Sequence, residues 1–423
     1  MKRYEQYKPT GIPWLPEIPA HWEIAQLRKY LSLVSIKDKG DKPLLSVTRE
    51  KGVIERNVND PDENHNFVPE DLSGYKYVQP GQFVINKMKS WQGSYGVSDF
   101  EGIVSPAYYV CDLNFPDKEF FTKAIRSRSY VSFFAQWSKG IRVGQWDLEP
   151  IALKSIPFFE PPIAEQQKIV AFLNKRITLI ETCKCKRERE LQTLNELRQA
   201  EISSVVTRGL NPAVPMKDSG QVQFGEIPAH WDSVKMKYCF NQRSEKGYPN
   251  EPVLCATQSK GVIPQSLYEN RVVVVNKGFE GLKLVKVGDF VISLRSFQGG
   301  IEYAYYQGII SSAYTILTPK DERNSQYFKY LFKSHPFIQV LQTCVTGIRE
   351  GQNINYSILG NNFIPVPPIE EQNAIVEYIE SKTRKIDTMI EALKAEIDRL
   401  TEYKQRLISD VVTGQIDVRD EVI

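Results

Sequence analysis

The sequence predicts an α+β fold, with two similar mixed α/β domains separated by a long antiparallel two-helix coiled coil of pseudo-twofold character. Three observations lead there. The chain repeats itself at about half its 423-residue length, and each repeat closes on a long stretch free of Gly and Pro. The second of those stretches carries a heptad pattern.

The repeat opens with Glu17-Ile18-Pro19-Ala20-His21-Trp22, which returns as Glu226-Ile227-Pro228-Ala229-His230-Trp231, 209 positions later. Leu45–Ile54 is answered by Leu254–Ile263, both containing Lys-Gly-Val-Ile, and Gly102–Tyr108 by Gly308–Tyr314. Pro161-Pro162-Ile163-Ala164-Glu165-Gln166 matches Pro367-Pro368-Ile369-Glu370-Glu371-Gln372 at an offset of 206. Two copies at this period are unlike a solenoid, which stacks short repeats. They make a pseudo-dimer in one chain, whose natural partner is itself twofold, such as duplex DNA.

Within each repeat, short β-branched and aromatic runs such as Gln82-Phe83-Val84-Ile85 and Asp289-Phe290-Val291-Ile292 predict strands punctuated by Gly and Pro. Pro before an acidic first turn (Glu165; Glu370, Glu371) predicts a helix start, and Gly209 and Gly414 predict stops. The resulting division is a first domain at 1–163, a spacer helix at 164–209, a second domain at 210–369, a spacer helix at 370–416 and a tail at 417–423. Some 44 residues at 1.5 Å each make a rod of roughly 65 Å.

Ile386, Ile390, Leu393, Ile397, Leu400, Leu407 and Val411 form a seam broken at Lys404. On the first helix Ile177, Ile180, Leu191, Leu194 and Val205 fit a seam, but Lys184, Arg187, Arg198 and Glu201 interrupt it. Charge also favours pairing. Residues 164–209 hold 9 Lys/Arg against 6 Asp/Glu (+3), whereas 370–423 hold 8 against 13 (−5). The plainer alternative has each helix lying only on its own domain. An antiparallel pair is expected to place the two domains at opposite ends.

The whole chain is only +3, and the two domains are mildly basic, +1 for residues 1–163 and +4 for 210–369. Any contact with nucleic acid must therefore come from local clusters. No stretch approaches the roughly 20 apolar residues of a membrane span, and the N-terminal residues lack a signal-peptide core. The six cysteines do not recur at repeat positions, so free thiols in a reducing cytoplasm are expected. Cys183 and Cys185 have no nearby histidine, and no metal site is expected.

Catalytic signatures are missing from the sequence. It has no Walker-type phosphate loop and no Asn/Asp-Pro-Pro-aromatic quartet such as an amino-methyltransferase carries. His21 and His230 sit in the repeated motif and are read as packed beside their tryptophans. No catalytic residue is expected.

Two loop clusters in each copy point to DNA. One is Lys87-Met88-Lys89-Ser90-Trp91-Gln92-Gly93, echoed by Leu294-Arg295-Ser296-Phe297-Gln298-Gly299. Cations bind phosphate, aromatics stack or wedge, and glutamine pairs with adenine. The other is Gly140-Ile141-Arg142-Val143-Gly144-Gln145-Trp146, echoed by Gly347-Ile348-Arg349-Glu350-Gly351-Gln352-Asn353. The candidates for DNA contact are thus Lys87, Lys89, Trp91, Gln92, Arg142, Gln145 and Trp146 in the first copy, and Arg295, Phe297, Gln298, Arg349, Gln352 and Asn353 in the second. The bland alternative makes them hairpin tips whose aromatics complete the core. The copies differ here: Trp146 faces Asn353, Lys87 faces Leu294, and Lys76-Tyr77 lacks a clear counterpart. Two heads with a shared frame and different loops would read different half-sites.

This layout resembles the specificity subunits of type I restriction–modification enzymes. The resemblance spans essentially the whole chain and rests on the duplication, the Glu-Ile-Pro-Ala-His-Trp openings, the Lys-Gly-Val-Ile segments and the Pro-Pro-Ile-x-Glu-Gln helix starts. It implies two target-recognition domains, each reading half of a bipartite target in double-stranded DNA, with the helices setting the gap. It further implies two methyltransferase subunits docked on the helices, and restriction/translocase subunits in the full complex. S-adenosylmethionine, ATP and Mg would belong to those partners and none to this chain. The alternatives are a self-sufficient adenine DNA methyltransferase and a coiled-coil scaffold without DNA specificity.

Overall fold

The computed structural model describes residues 2–57, 69, 71–142, 145–268, 278–320, 325–346 and 353–421, without the side chains of 141, 142 and 145. Two compact units emerge: Met1–Arg187 with Ala395–Ile423, and Glu188–Lys394. Each takes in part of both long helices, so the units cut across the division expected from the repeat boundaries.

The first unit is built on an antiparallel sheet of β1 (Leu31–Val34), β2 (Phe83–Asn86), β3 (Tyr95–Val97) and β4 (Tyr108–Leu113), in the order β1-β4-β2-β3. Val110 of β4 pairs with Val34 on one side and Val84 on the other. α1 (Arg128–Trp137) buries Tyr130, Phe133 and Phe134, and Phe134 stacks on Tyr95 with ring centres 4.0 Å apart. Each such aromatic removes some 150–250 Å² from water, which is why aromatics dominate this core. A smaller cluster (Leu45, Val47, Val53, Val78, Val84, Val104, Val110) fills beneath the hairpin of Leu45–Thr48 and Gly52–Glu55.

The second unit repeats the plan. Its sheet of β5 (Phe240–Arg243), β6 (Phe290–Ile292), β7 (Glu302–Tyr303) and β8 (Thr315–Pro319) runs β5-β8-β6-β7. α3 (His335–Thr343) stands where α1 does in the first unit, and Phe240, Phe290, Phe328, Phe332 and Phe337 form its aromatic core. One expectation is corrected here. Lys76–Val78 pairs with Gly102–Val104 as Lys283–Val285 pairs with Gly308–Ile310, so Lys76 has a counterpart in Lys283. Their amines donate to the carbonyls of Tyr108 and Tyr314 at 2.6 and 2.7 Å. The match is hidden in the sequence because Leu284 stands where Tyr77 does.

α2 (Ile163–Arg208) and α4 (Ile369–Val412) are the two long helices. Each starts behind a Pro-Pro step, and the first-turn glutamine ties the helix back to that step: Gln166 donates to the Pro161 carbonyl and Gln372 to that of Pro367, both at 2.8 Å. Each stops at a left-handed glycine, Gly209 (φ 74°) and Gly414 (φ 71°). The second helix thus ends short of the expected 416. Past Gly414 the chain turns back, Gln415 N–H reaching the Asp410 carbonyl at 2.7 Å, and Asp417 bridges to Lys2 instead of starting a free tail.

In the first unit the start of α2 (Ile169, Leu173, Ile180) shares a core with the end of α4 (Leu407, Val411, Val412). In the second, the end of α2 (Ile202, Val205, Val206) shares one with the start of α4 (Ile375, Ile379). Start beside end in both units makes the pair antiparallel. Ile180, Ile386, Ile390 and Leu407 are buried, while Leu191, Leu194, Leu393, Ile397 and Leu400 are half-buried.

The polar breaks in the seam are paired across it. Arg187 meets Glu396 at 3.0 Å and Lys404 meets Glu181 at 2.6 Å in the first unit. Arg198 meets Asp387 at 2.8 Å and Tyr378 donates to Glu201 at 2.5 Å in the second. Lys404–Glu181 and Arg198–Asp387 are repeat mates, each partner shifted by 206 positions. Solvated pairs of this kind contribute at most about 1 kcal/mol each, so their value lies in fixing register and partner.

Candidate nucleic-acid interface

The repeated opening motif proves to be frame. His21 Nε2 lies 2.7 Å from Glu165 Oε2, and Trp22 donates its indole N–H to Glu165 Oε1 at 2.9 Å. His230 and Trp231 meet Glu371 at 2.8 and 2.9 Å. The motif thereby ties the start of one long helix to the glycine that ends the other, because Trp22 lies beside Gly414 and Trp231 beside Gly209.

The candidate contacts sit on loops held by that frame. In the first unit the segment after β2 makes a short turn, Ser90–Gln92, closed by Gly93 at φ 93°. Buried Ser90 meets Ser138, 3.3 Å away at the end of α1, which fixes the turn to the helix. The second cluster is a hairpin of Lys139–Arg142 and Gln145–Asp147. The fold brings the two together. Trp91 stacks on Trp146 with ring centres 5.2 Å apart and planes 23° from parallel. Lys87 forms an ion pair with Asp147 at 3.2 Å, and Leu148 N–H donates to the Lys87 carbonyl at 3.2 Å. Lys89 is exposed and Gln92 half-buried. Arg142 and Gln145 pair at the hairpin tip through the backbone, their side chains lying outside the description.

In the second unit Arg295 and Gln298 are exposed around the turn Ser296–Gly299, whereas Phe297 packs against the core cluster. Leu294, in the place of Lys87, is exposed. Asn353 is exposed on a two-residue strand paired with Thr346. Arg349 and Gln352 lie outside the described residues.

Sequence reasoning missed three groups. Asp147 closes the first-unit cluster, and nothing in its spacing marks it. Arg126 donates to the carbonyls of Tyr95, Arg49 and Glu50 at 2.6, 3.1 and 2.7 Å, which clamps the Lys-Gly-Val-Ile hairpin. In the second unit Lys333 does this work, donating to Gly299 and Gln258 carbonyls at 2.9 and 3.3 Å and to Glu302 at 2.6 Å. Glu302 is 2% exposed, and burial pushes its carboxyl up to about 7 despite the lysine. It stands in the place of Gly96, and that single exchange could have signalled a different clamp. Beside it opens a cleft of about 580 Å³ lined by Arg198, Lys260, Tyr303, Tyr305, Lys329 and Lys333. Burial lowers the pKa of Lys329, whose amine sits 4.6 Å from the Tyr330 ring centre.

Residues 223–399 match the family model of the type I restriction modification DNA specificity domain. The putative type I restriction enzyme MjaX specificity subunit of Methanocaldococcus jannaschii is 23% identical over 446 residues, covering 98% of this chain and 97% of that one. The MjaVIII specificity subunit of the same organism is 23% identical, with 95% of each chain covered. Over nearly its whole length the chain is similar to type I restriction enzyme specificity subunits.

The fold accords with a solved structure. A chain from a study of complex assembly and conformational transition of the type I R-M system superimposes with a TM-score of 0.64 at 16% identity, covering 94% of this chain and 99% of that one. Among the described residues no helix is long and apolar enough to cross a membrane.

Proposed function

We propose that this specificity subunit reads a bipartite, asymmetric DNA target, one half through each unit, and that it brings no catalysis of its own. One observation carries the reading: matching frames present loops of different chemistry, Lys87, Trp91, Asp147 and Trp146 in one unit and Leu294, Arg295, Gln298 and Asn353 in the other. Phosphate contacts give affinity to any duplex, and base-edge contacts in the grooves select a sequence. Equal frames with unequal loops suit a target whose halves differ.

The paired helices set the gap and offer similar faces to two methyltransferase subunits, with restriction/translocase subunits joining in the full complex. S-adenosylmethionine, ATP and Mg serve those partners, and the assembly works on cytoplasmic DNA. The test is to express the chain with its methyltransferase subunits and map methylated adenines across the host genome. Arg295→Ala with Gln298→Ala should relax one half of the motif, since a good base contact discriminates by about 1–3 kcal/mol. A motif that changes in both halves together would overturn the two-unit reading.

A further inference from the structure

We infer that Lys87 and Asp147 act as one reader of a single G·C base pair in the half-site of the first unit. This rests on the reading of each unit as a half-site reader and names the residues that set one of its bases. Four observations support it. The two side chains lie 3.2 Å apart, each 29% exposed, in the cluster where the two candidate loops meet. Their loops are braced by the Trp91–Trp146 stack and by the Leu148 N–H bond to the Lys87 carbonyl, so the pair is held in a defined geometry. Asp147 Oδ1 and Trp91 Nε1 are buried without a hydrogen-bond partner among the described residues, which leaves acceptor and donor capacity in the cluster. Finally, the second unit has Leu294 where Lys87 stands and Asn353, which pairs with Thr346 as Asp147 pairs with Lys139, at the hairpin position of Asp147, so it lacks the charge pair.

The chemistry fits one base pair. In the major groove guanine offers two acceptors, N7 and O6, and the cytosine paired with it offers the N4 amine beside O6. A lysine ammonium donates to the guanine edge while an adjacent carboxylate accepts from cytosine N4. Leu294 and Asn353 in the same places carry neither the ammonium nor the carboxylate.

The experiment uses the assembled methyltransferase with three variants, Lys87→Leu, Asp147→Asn and Lys87→Arg, and reads the methylated motif genome-wide. The wild type should require a G·C pair at one fixed position of one half-site. Lys87→Leu and Asp147→Asn should each weaken that preference at least tenfold and leave the other half and the gap unchanged, which also shows that the variants fold. Lys87→Arg should keep the guanine, because arginine donates to the same two acceptors. An unchanged motif in Lys87→Leu and Asp147→Asn overturns the inference, as does an A·T requirement at the affected position. Arg295→Ala separates the two levels. If it relaxes the other half while Lys87→Leu changes nothing, only this inference fails. If both variants alter the same half, the two-unit reading fails with it.

Discussion

Trp22 donates its indole N–H to Glu165 Oε1 at 2.9 Å, and the same carboxylate also takes the Tyr4 hydroxyl at 2.5 Å. Trp22 is fully buried and Tyr4 5% exposed, so this acidic first-turn residue satisfies two groups that water does not reach. Burial, reinforced by the neighbouring carboxylate, raises the Tyr4 hydroxyl pKa well above its ordinary value, so it acts as a donor throughout the working range.

Removing that acceptor should be costly. Glu165→Ala orphans two buried donors at about 1–3 kcal/mol each. Its repeat mate Glu371 accepts from Trp231 and stands 2.8 Å from the more exposed His230, with no tyrosine hydroxyl bonded to it among the described residues. Glu371→Ala should therefore lower the thermal midpoint less than Glu165→Ala. Equal losses in a melting comparison of the two variants would contradict this account of the motif.

Gly414 tests the junction between the chain ends. A Cβ there would lie 2.3 Å from Pro19 Cδ, at a backbone φ of 71°. Gly225 has a φ of 61° with nothing within 4 Å of an added Cβ. Gly225→Ala should cost about 1–2 kcal/mol, the strain of the left-handed region alone. Gly414→Ala should cost clearly more, because Pro19 is backbone-anchored and cannot swing aside. Urea midpoints of the two variants measure the difference, and similar values would remove the clash from the explanation.

Glu302 gives the second unit a pH dependence. Its folded carboxyl is raised to about 7 from 4.5, so folding favours the protonated form. The sign follows: the stabilising contribution is complete below about 4.5 and is lost as pH rises through about 7. Glu302→Gln keeps an acceptor for Lys333 without the buried charge. Relative to wild type, it should gain thermal stability from pH 5 to pH 8. A wild-type minus variant difference that stays flat over that range would rule this out.

Much of the frame was legible in the sequence because frame residues recur. The Pro-Pro helix starts, the glycine stops and the heptad of α4 are local signals, each fixed by backbone geometry or a 3.5-residue period. The first helix was harder. Arg187, Arg198 and Glu201 look like faults in a seam until Glu396, Asp387 and Tyr378 stand opposite them. A charge at a seam position is favourable or costly only according to what faces it, and one strand of sequence does not show that. The loops were legible as places, not as arrangements. Spacing flagged Trp91 and Trp146 separately, but 55 positions part them and no periodicity joins them.

By itself, then, the sequence determined the duplication, the long helices and the loops where the copies diverge, because repeats, helix signals and turn residues act over short distances. Only the tertiary structure decided that each long helix completes both units, that Glu165 and Glu371 anchor the opening motifs, and that Asp147 sits against Lys87. Those relations depend on side chains brought together from distant segments. Their energies come from burial and partner geometry, neither of which exists until the chain has folded.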